Sequence, residues 1–114
     1  MANNFNEEIE NLLSNLGVPY AFMYYEGNAD TYVTYMQTDI DNSYAAEDQI
    51  AGYVVYYDFD IYSKWNYLNI RDNLIAIMQG AGWSYQPSRE SPDQYERDTK
   101  FFHKTICFAH ESEV

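Results

Sequence analysis

Two aspartates are the residues best suited to chemistry. Asp58 and Asp60 stand two positions apart in a segment that alternates apolar and polar residues, so both project from one face of a predicted strand. Such a carboxylate pair can bind a cation or carry out general acid–base catalysis. A solvated strand face, or a charged face that blocks edge pairing, explains the same spacing and is the favoured interpretation.

An acidic stretch at 39–43 begins like a calcium-binding loop. The EF-hand pattern requires Gly at its sixth position and Glu at its twelfth. Those positions are Tyr44 and Ile50 in this chain, so the pattern fails. We therefore interpret the stretch as a solvated acidic segment.

The C-terminal segment carries His103, Cys107 and His110, which are residue types that bind zinc. On a strand, His103 and Cys107 point to one side and His110 to the other, so the three do not converge. No second Cys completes a structural zinc set. We therefore expect no catalytic residue, no metal and no cofactor, and we expect that the protein is not an enzyme.

Charge is distributed unevenly along the 114 residues, which carry a formal net charge of −12. Residues 1–63 contain eleven carboxylates and no Lys or Arg, whereas residues 64–114 contain seven carboxylates and all six basic residues. This field disfavours specific binding to nucleic acid or to an anionic membrane. The single Cys and the lack of a long apolar run predict a protein of a reducing compartment, without a membrane span.

Hydrophobic periodicity predicts one domain, residues 1–114, of the α+β class. Two helices pack on a mainly antiparallel sheet in the order α-β-β-β-α-β-β. The expected elements of the first part are a helix ending at Gly17, a hairpin of strands 19–25 and 31–37, a loop at 38–49 and a strand at 50–62. They are followed by a helix from its cap Ser63 to Ala81, a strand at 83–86, a loop or irregular strand extension at 87–98 and a strand at 99–110. Val55, Tyr57, Phe59 and Ile61 share the predicted inner face of the long strand.

Four short stretches of the chain form a distinctive set. They are Leu16-Gly17-Val18-Pro19 with the later Tyr-Val-Thr-Tyr at 32–35, Asp60-Ile61-Tyr62-Ser63, Gly80-Ala81-Gly82-Trp83, and Asp-Gln-Tyr-Glu-Arg-Asp-Thr-Lys-Phe-Phe-His at 93–103. Together they resemble the tail-terminator proteins of long-tailed bacteriophages and prophages, also called tail-completion or tail-to-head joining proteins. The resemblance spans about residues 9–110 and includes a similar length and element order. Its motifs are short, aromatic-rich and not catalytic.

The resemblance implies a structural role in the virion. Proteins of that family form a ring, usually a homohexamer, on the last ring of major tail protein. The ring stops tail polymerisation, binds the head-completion or connector assembly, and lets DNA pass through its channel. The implied location is the neck of the virion, and the bacterial cytoplasm during assembly.

The predicted contact surfaces of such a ring are the hairpin 24–32 and the loop 38–49. Their carboxylates are expected near the channel or on the faces of the ring; they are Glu26, Asp30, Asp39, Asp41, Glu47 and Asp48. An acidic channel would repel phosphate and keep DNA from sticking as it slides. Placement of these groups on the outer rim would contradict that idea.

Two alternatives from other classes remain open. One is an acidic inhibitor that mimics DNA, or another small phage-encoded protein-binding module. DNA mimicry requires carboxylates in duplex-like rows across one exposed surface, and stable assembly into a ring would argue against it. The other is a hydrolytic or metal-dependent enzyme centred on Asp58 and Asp60, for which divalent cations should change the melting temperature.

Overall fold

The structure is a computed structural model that describes residues 5–46 and 49–113. Its elements are α1 (Asn6–Leu13), β1 (Tyr20–Phe22), β2 (Thr31–Ala46), β3 (Gln49–Ser63), α2 (Leu68–Gly80), β4 (Ser84–Tyr85), a 3-10 turn (Pro87–Arg89), β5 (Gln94–Glu96) and β6 (Phe101–Glu113). The strand order in the sheet is β1-β2-β3-β6-β4, and the short β5 pairs with the start of β6. The predicted α+β class, the two helices and the order α-β-β-β-α-β-β are confirmed, with β5 as a minor addition.

The hydrophobic core lies between the two helices and one face of the sheet. The inner face of β3 is buried as its alternation predicted, with Val55, Tyr57, Phe59 and Ile61 at 2% exposure or less. Phe59 makes ring contacts with residues on β2 and β6, and burial of one such side chain stabilises the fold by about 1.5–3 kcal/mol. The helices contribute Ile9, Leu13, Leu74 and Met78 to the same cluster.

The segments 19–25 and 31–37 do not form the expected antiparallel hairpin. β1 pairs with β2 in parallel, with Tyr20 opposite Val33. The chain turns sharply after β1, where Met23 has a φ of 65°. It then returns to the start of β2, so that the two strands run in the same direction.

The acidic segment 38–49, expected as a loop, is strand wherever the structure describes it. β2 continues to Ala46 and β3 begins at Gln49, so the two strands form one long antiparallel hairpin. Register shifts after Gln37 and after Asn42 accommodate extra residues as β-bulges. The side chains of residues 38–41 are exposed, which agrees with their polar composition, while the backbone of this part of β2 still pairs with β3.

The second helix begins later than predicted. Ser63 does not cap it; it is the buried last residue of β3, and its hydroxyl lies 2.9 Å from Thr31 Oγ1. The same hydroxyl oxygen accepts the N–H of Trp65 over 3.1 Å, which fixes the turn out of the strand. α2 itself starts at Leu68.

Candidate functional site

The face of the sheet opposite the helices is the first candidate site, and we call it the open face. No helix of the described chain packs on it. Strand register places side chains of β2, β3 and β6 side by side here. Its members are Tyr32, Thr34, Met36, Asp39, Asp41, Tyr56, Asp58, Asp60, Tyr62, His103, Thr105, Cys107 and Ala109.

A row of stacked rings crosses the open face. Tyr25 stacks on Tyr32 at 4.4 Å between centroids, Tyr32 on Tyr62 at 4.9 Å, and Tyr62 on His103 at 4.2 Å. Cross-strand aromatic pairs of this kind stabilise a sheet. Burial, followed by the charge of Asp60, raises the pKa of Tyr62 to about 12, so its phenol stays neutral at physiological pH.

Asp60 lies beside this row and is held by two neighbours. His103 Nε2 lies 2.9 Å from Asp60 Oδ1, and the Thr105 hydroxyl donates to the same oxygen over 2.5 Å. The hydroxyl that could act as a nucleophile is therefore bonded to the carboxylate and not to the imidazole.

Asp58 faces a buried thiol. Cys107 is fully buried, and burial together with the neighbouring Asp58 raises its pKa to about 12. Burial also raises the pKa of the Asp58 carboxyl, against hydrogen bonds from Cys107 and Thr38 that lower it. A thiol with such a raised pKa carries little thiolate at neutral pH and is a poor nucleophile.

Arg89 reaches over the open face from the 3-10 turn. Its guanidinium lies 3.9 Å from the centroid of the Tyr56 ring and 3.5 Å from Asp39 Oδ2. Both contacts are exposed enough to be weak individually. Through these two contacts the Arg89 side chain places a positive charge next to Tyr56 of β3 and Asp39 of β2.

The strand faces predicted for the chemically suited residues are confirmed. Asp58 and Asp60 share one face, as predicted, and His103 and Cys107 share it with them. His110 points to the opposite face, where its ring contacts Phe5 at 4.8 Å. Among residues 5–46 and 49–113, no three His, Cys, Asp or Glu side chains are grouped so that they could hold a metal ion.

Of the six predicted carboxylates, the four that the structure describes lie in two separate pairs. Glu26 and Asp30 are exposed in the loop before β2, and Asp30 lies 3.7 Å from Lys64. Asp39 and Asp41 are exposed on β2 itself, near the far end of the hairpin. Asp30 directly precedes β2, whereas Asp39 and Asp41 lie nine and eleven residues further along the chain, so the two pairs are roughly 30 Å apart. The remaining two, Glu47 and Asp48, lie outside the described residues.

Sequence reasoning missed two exposed apolar patches, one at each edge of the sheet. The first follows β1 and consists of Phe22, Met23 and Tyr24. The second surrounds the start of α2 and of β6 and consists of Trp65, Leu68, Tyr95 and Phe102. The one signal in the sequence was Trp65, a large ring between Lys64 and Asn66 and outside any apolar stripe.

Comparisons with known proteins add no family. Neither a scan against protein-family models nor a search of curated proteins finds a match for this chain. In the part of the chain that the structure describes, no helix has the length and apolar character needed to cross a membrane. Function is therefore argued from the fold and its surfaces.

Proposed function

We propose that this chain is a structural subunit of a bacteriophage neck, a tail terminator that forms a homohexameric ring. The ring caps the tube of major tail protein and joins it to the head-completion or connector assembly. The observation that carries this proposal is the α-β-β-β-α-β-β order with helices on one face of the sheet. That order agrees with the family resembled over residues 9–110.

The edges of the sheet support an assembly role. β1 covers the outer side of β2 only from Val33 to Tyr35, and in the described chain no strand pairs there beyond that point. Unpaired strand edges and exposed apolar side chains are the usual sites of association between chains. A subunit that offers both on different sides is suited to contacts with two neighbours.

In the proposed ring the open face lines the channel. Strand alternation places Asp39 and Asp41 on the same side as Asp58 and Asp60. The negative field of these carboxylates repels DNA phosphates, so the duplex passes without being gripped. The helices then lie on the outer side of the ring.

Light scattering combined with negative-stain imaging tests the proposal. The protein should form closed rings of one size, either alone or when purified tail tubes are added, and the rings should sit at the tube ends. Monomers that form no ring even with tail tubes present would contradict the assignment.

A second candidate function is an acidic DNA mimic that occupies a nucleic-acid-binding protein. One observation favours it, the presence of four carboxylates on the open face across two adjacent strands. Asp60 is bonded to His103 and Thr105, and Asp39 pairs with Arg89, which weakens the resemblance to a row of phosphates. Competition with DNA for a basic protein, by a chain that stays monomeric, would favour this function over the ring.

A further inference from the structure

The first patch forms a protrusion at the β1 edge of the sheet, and we call it the edge knob: Phe22, Met23 and Tyr24. Met23 is 60% exposed and Tyr24 is 72% exposed, although both are large and apolar in body. Phe22 lies at the edge of the sheet on the same side as the core, with its ring centroid 5.5 Å from that of Tyr35. Three consecutive exposed side chains of this size are costly to leave in water.

The backbone of the edge knob is strained. The N–H of Tyr24 donates to the carbonyl of Phe22 over 2.7 Å, with Met23 between them at a φ of 65°. This is the rarer form of the γ-turn, which an L-residue adopts at a cost. Strained conformations concentrate at functional sites, so the turn that presents Met23 and Tyr24 points to a role for them.

The second patch is concave, and we call it the apolar hollow: Trp65, Leu68, Tyr95 and Phe102. Two adjoining cavities of about 380 and 390 Å³ share Trp65 and Phe102 as walls. Trp65 is 64% exposed, so its indole has no cover within the described chain. A partly exposed Trp beside a cavity is a typical centre of a protein–protein contact.

The two patches lie on opposite edges of one sheet but on the same side of it. Phe22 is in register with the core residue Tyr35, and Phe102 with Ser63 on the core side of β3. Three strand spacings of about 4.8 Å separate β1 from β6, or roughly 15 Å. The edge knob therefore cannot reach the hollow of its own chain.

Charges around the two patches are complementary. Glu26 is exposed two residues after the edge knob, whereas Lys100 lines the hollow together with Lys64, which lies 3.7 Å from Asp30 of its own chain. Lys100 makes no ion pair with any residue of the described ranges. Asp93, at the other end of the hollow, lies 3.4 Å from Lys104 and accepts a hydrogen bond from the Tyr67 hydroxyl.

We propose that the edge knob of one copy inserts into the apolar hollow of the next copy of this chain. The inference rests on the proposed ring function and names its subunit interface. The contact is heterologous, because each copy donates a knob at one edge and receives one at the other, so repetition closes a ring if the rotation fits. In a closed ring each copy makes two such contacts, one through its knob and one through its hollow. The ring can therefore be stable even when each contact by itself is weak.

Substitution of each partner surface tests the interface. The knob variant carries Met23→Asn and Tyr24→Ser, since Asn tolerates positive φ, and the hollow variant carries Trp65→Ser. Each should raise the concentration needed for ring formation at least about tenfold, measured by sedimentation velocity. Gln79→Ser, at an exposed position of α2 outside both patches and away from the β2 edge, is the control and should assemble like the wild type.

Mixing the two variants distinguishes this contact from a symmetric one. The knob variant keeps its hollow and the hollow variant keeps its knob, so an equimolar mixture should form dimers and nothing larger. A knob-to-knob contact would instead let the hollow variant assemble by itself, and that result would overturn the proposal.

Cross-linking provides a second readout that does not depend on disrupting the surface. Copies with Tyr24→Cys mixed with copies with Leu68→Cys should give a cross-linked dimer with a bismaleimide, and neither should do so alone. The native Cys107 is fully buried and will not compete for the reagent. Absence of the mixed dimer in an assembled ring would overturn the proposal.

The outcomes separate the interface from the function. If the wild type and all variants form identical rings, the knob-in-hollow contact is wrong while the ring function stands. If the wild type forms no ring, alone or on tail tubes, both are wrong.

Discussion

Glu90 joins three elements through a single carboxylate. Arg71 of α2 donates to both of its oxygens at 2.9 Å, Lys104 of β6 lies 3.0 Å away, and the Tyr85 hydroxyl of β4 donates to it as well. Burial by itself would raise the pKa of Glu90, but the hydrogen bonds from Arg71, Tyr85 and Lys104 outweigh it and lower the pKa to about 2. The carboxylate thereby anchors the segment after β4 to the second helix.

The Glu90 network makes a prediction about acid stability. Since the pKa of Glu90 falls from 4.5 in the unfolded chain to about 2 in the fold, its stabilisation is complete above about pH 4.5 and is lost as pH falls toward 2. Glu90→Gln should lower the free energy of unfolding at neutral pH by about 2–3 kcal/mol. The difference from the wild type should shrink as the solution is acidified, as measured by urea unfolding at several pH values.

Asp72→Asn is the control for that experiment. Asp72 also contacts Arg71, at 3.0 Å, but its side chain is 69% exposed. Its loss should change stability by no more than about 0.5 kcal/mol. Equal losses for the two substitutions, or a constant loss for Glu90→Gln down to pH 2, would show that the buried network is not the cause.

At the scale of elements, the turn after β1 makes the second prediction. Met23→Gly and Met23→Ala both remove the exposed side chain, but only Gly removes the steric cost of a φ of 65°. The Gly variant should therefore be about 1 kcal/mol more stable than the Ala variant in urea unfolding. Equal stabilities of the two variants would mean that the turn carries no strain. Both variants lack the Met23 side chain, so both should assemble less well than the wild type.

The elements that sequence predicted well are those whose side chains carry a clear period. Val55, Tyr57, Phe59 and Ile61 alternate strictly, so the buried face of β3 was evident. Ile9 and Leu13 repeat at helical spacing, and both are fully buried in α1. In these segments burial and local propensity agree.

The errors arose where tertiary pairing decides the structure. The 38–49 segment has the composition of a loop, and only its pairing with β3 makes it a strand. The parallel direction of β1 depends on the backbone of Met23, since no residue type there announces a positive φ. Ser63 looks like a helix cap, but its hydroxyl bonds across strands to Thr31. The exposed patches escaped notice because exposure depends on the completed fold.

At the scale of the whole molecule, charge and shape are organised together. The molecule is elongated, with dimensions of 53 × 26 × 24 Å, because the β2–β3 hairpin extends along its length. On the open face, Arg89 is the one guanidinium that contacts a carboxylate among the residues that the structure describes. Most other basic residues lie near the start of β6, beside the apolar hollow or in the Glu90 network. Two early carboxylates, Asp30 and Asp39, pair with the late basic residues Lys64 and Arg89, so the charge separation of the sequence is only partly kept in the subunit.

The placement of the open face in the channel makes a prediction about DNA. Asp39→Lys combined with Asp41→Lys should create rings that retain linear duplex DNA at low ionic strength, whereas wild-type rings should not, and salt should reverse the retention. Glu7→Lys combined with Asp72→Lys makes the same change in charge at exposed positions on the two helices and is the control. Comparison with closed circular DNA locates the new lysines, since a closed circle cannot thread a preformed ring. We expect the open-face variant to retain linear DNA but not circular DNA, and the control variant to retain neither. Retention of both DNA forms by the open-face variant would place the open face on the outside of the ring.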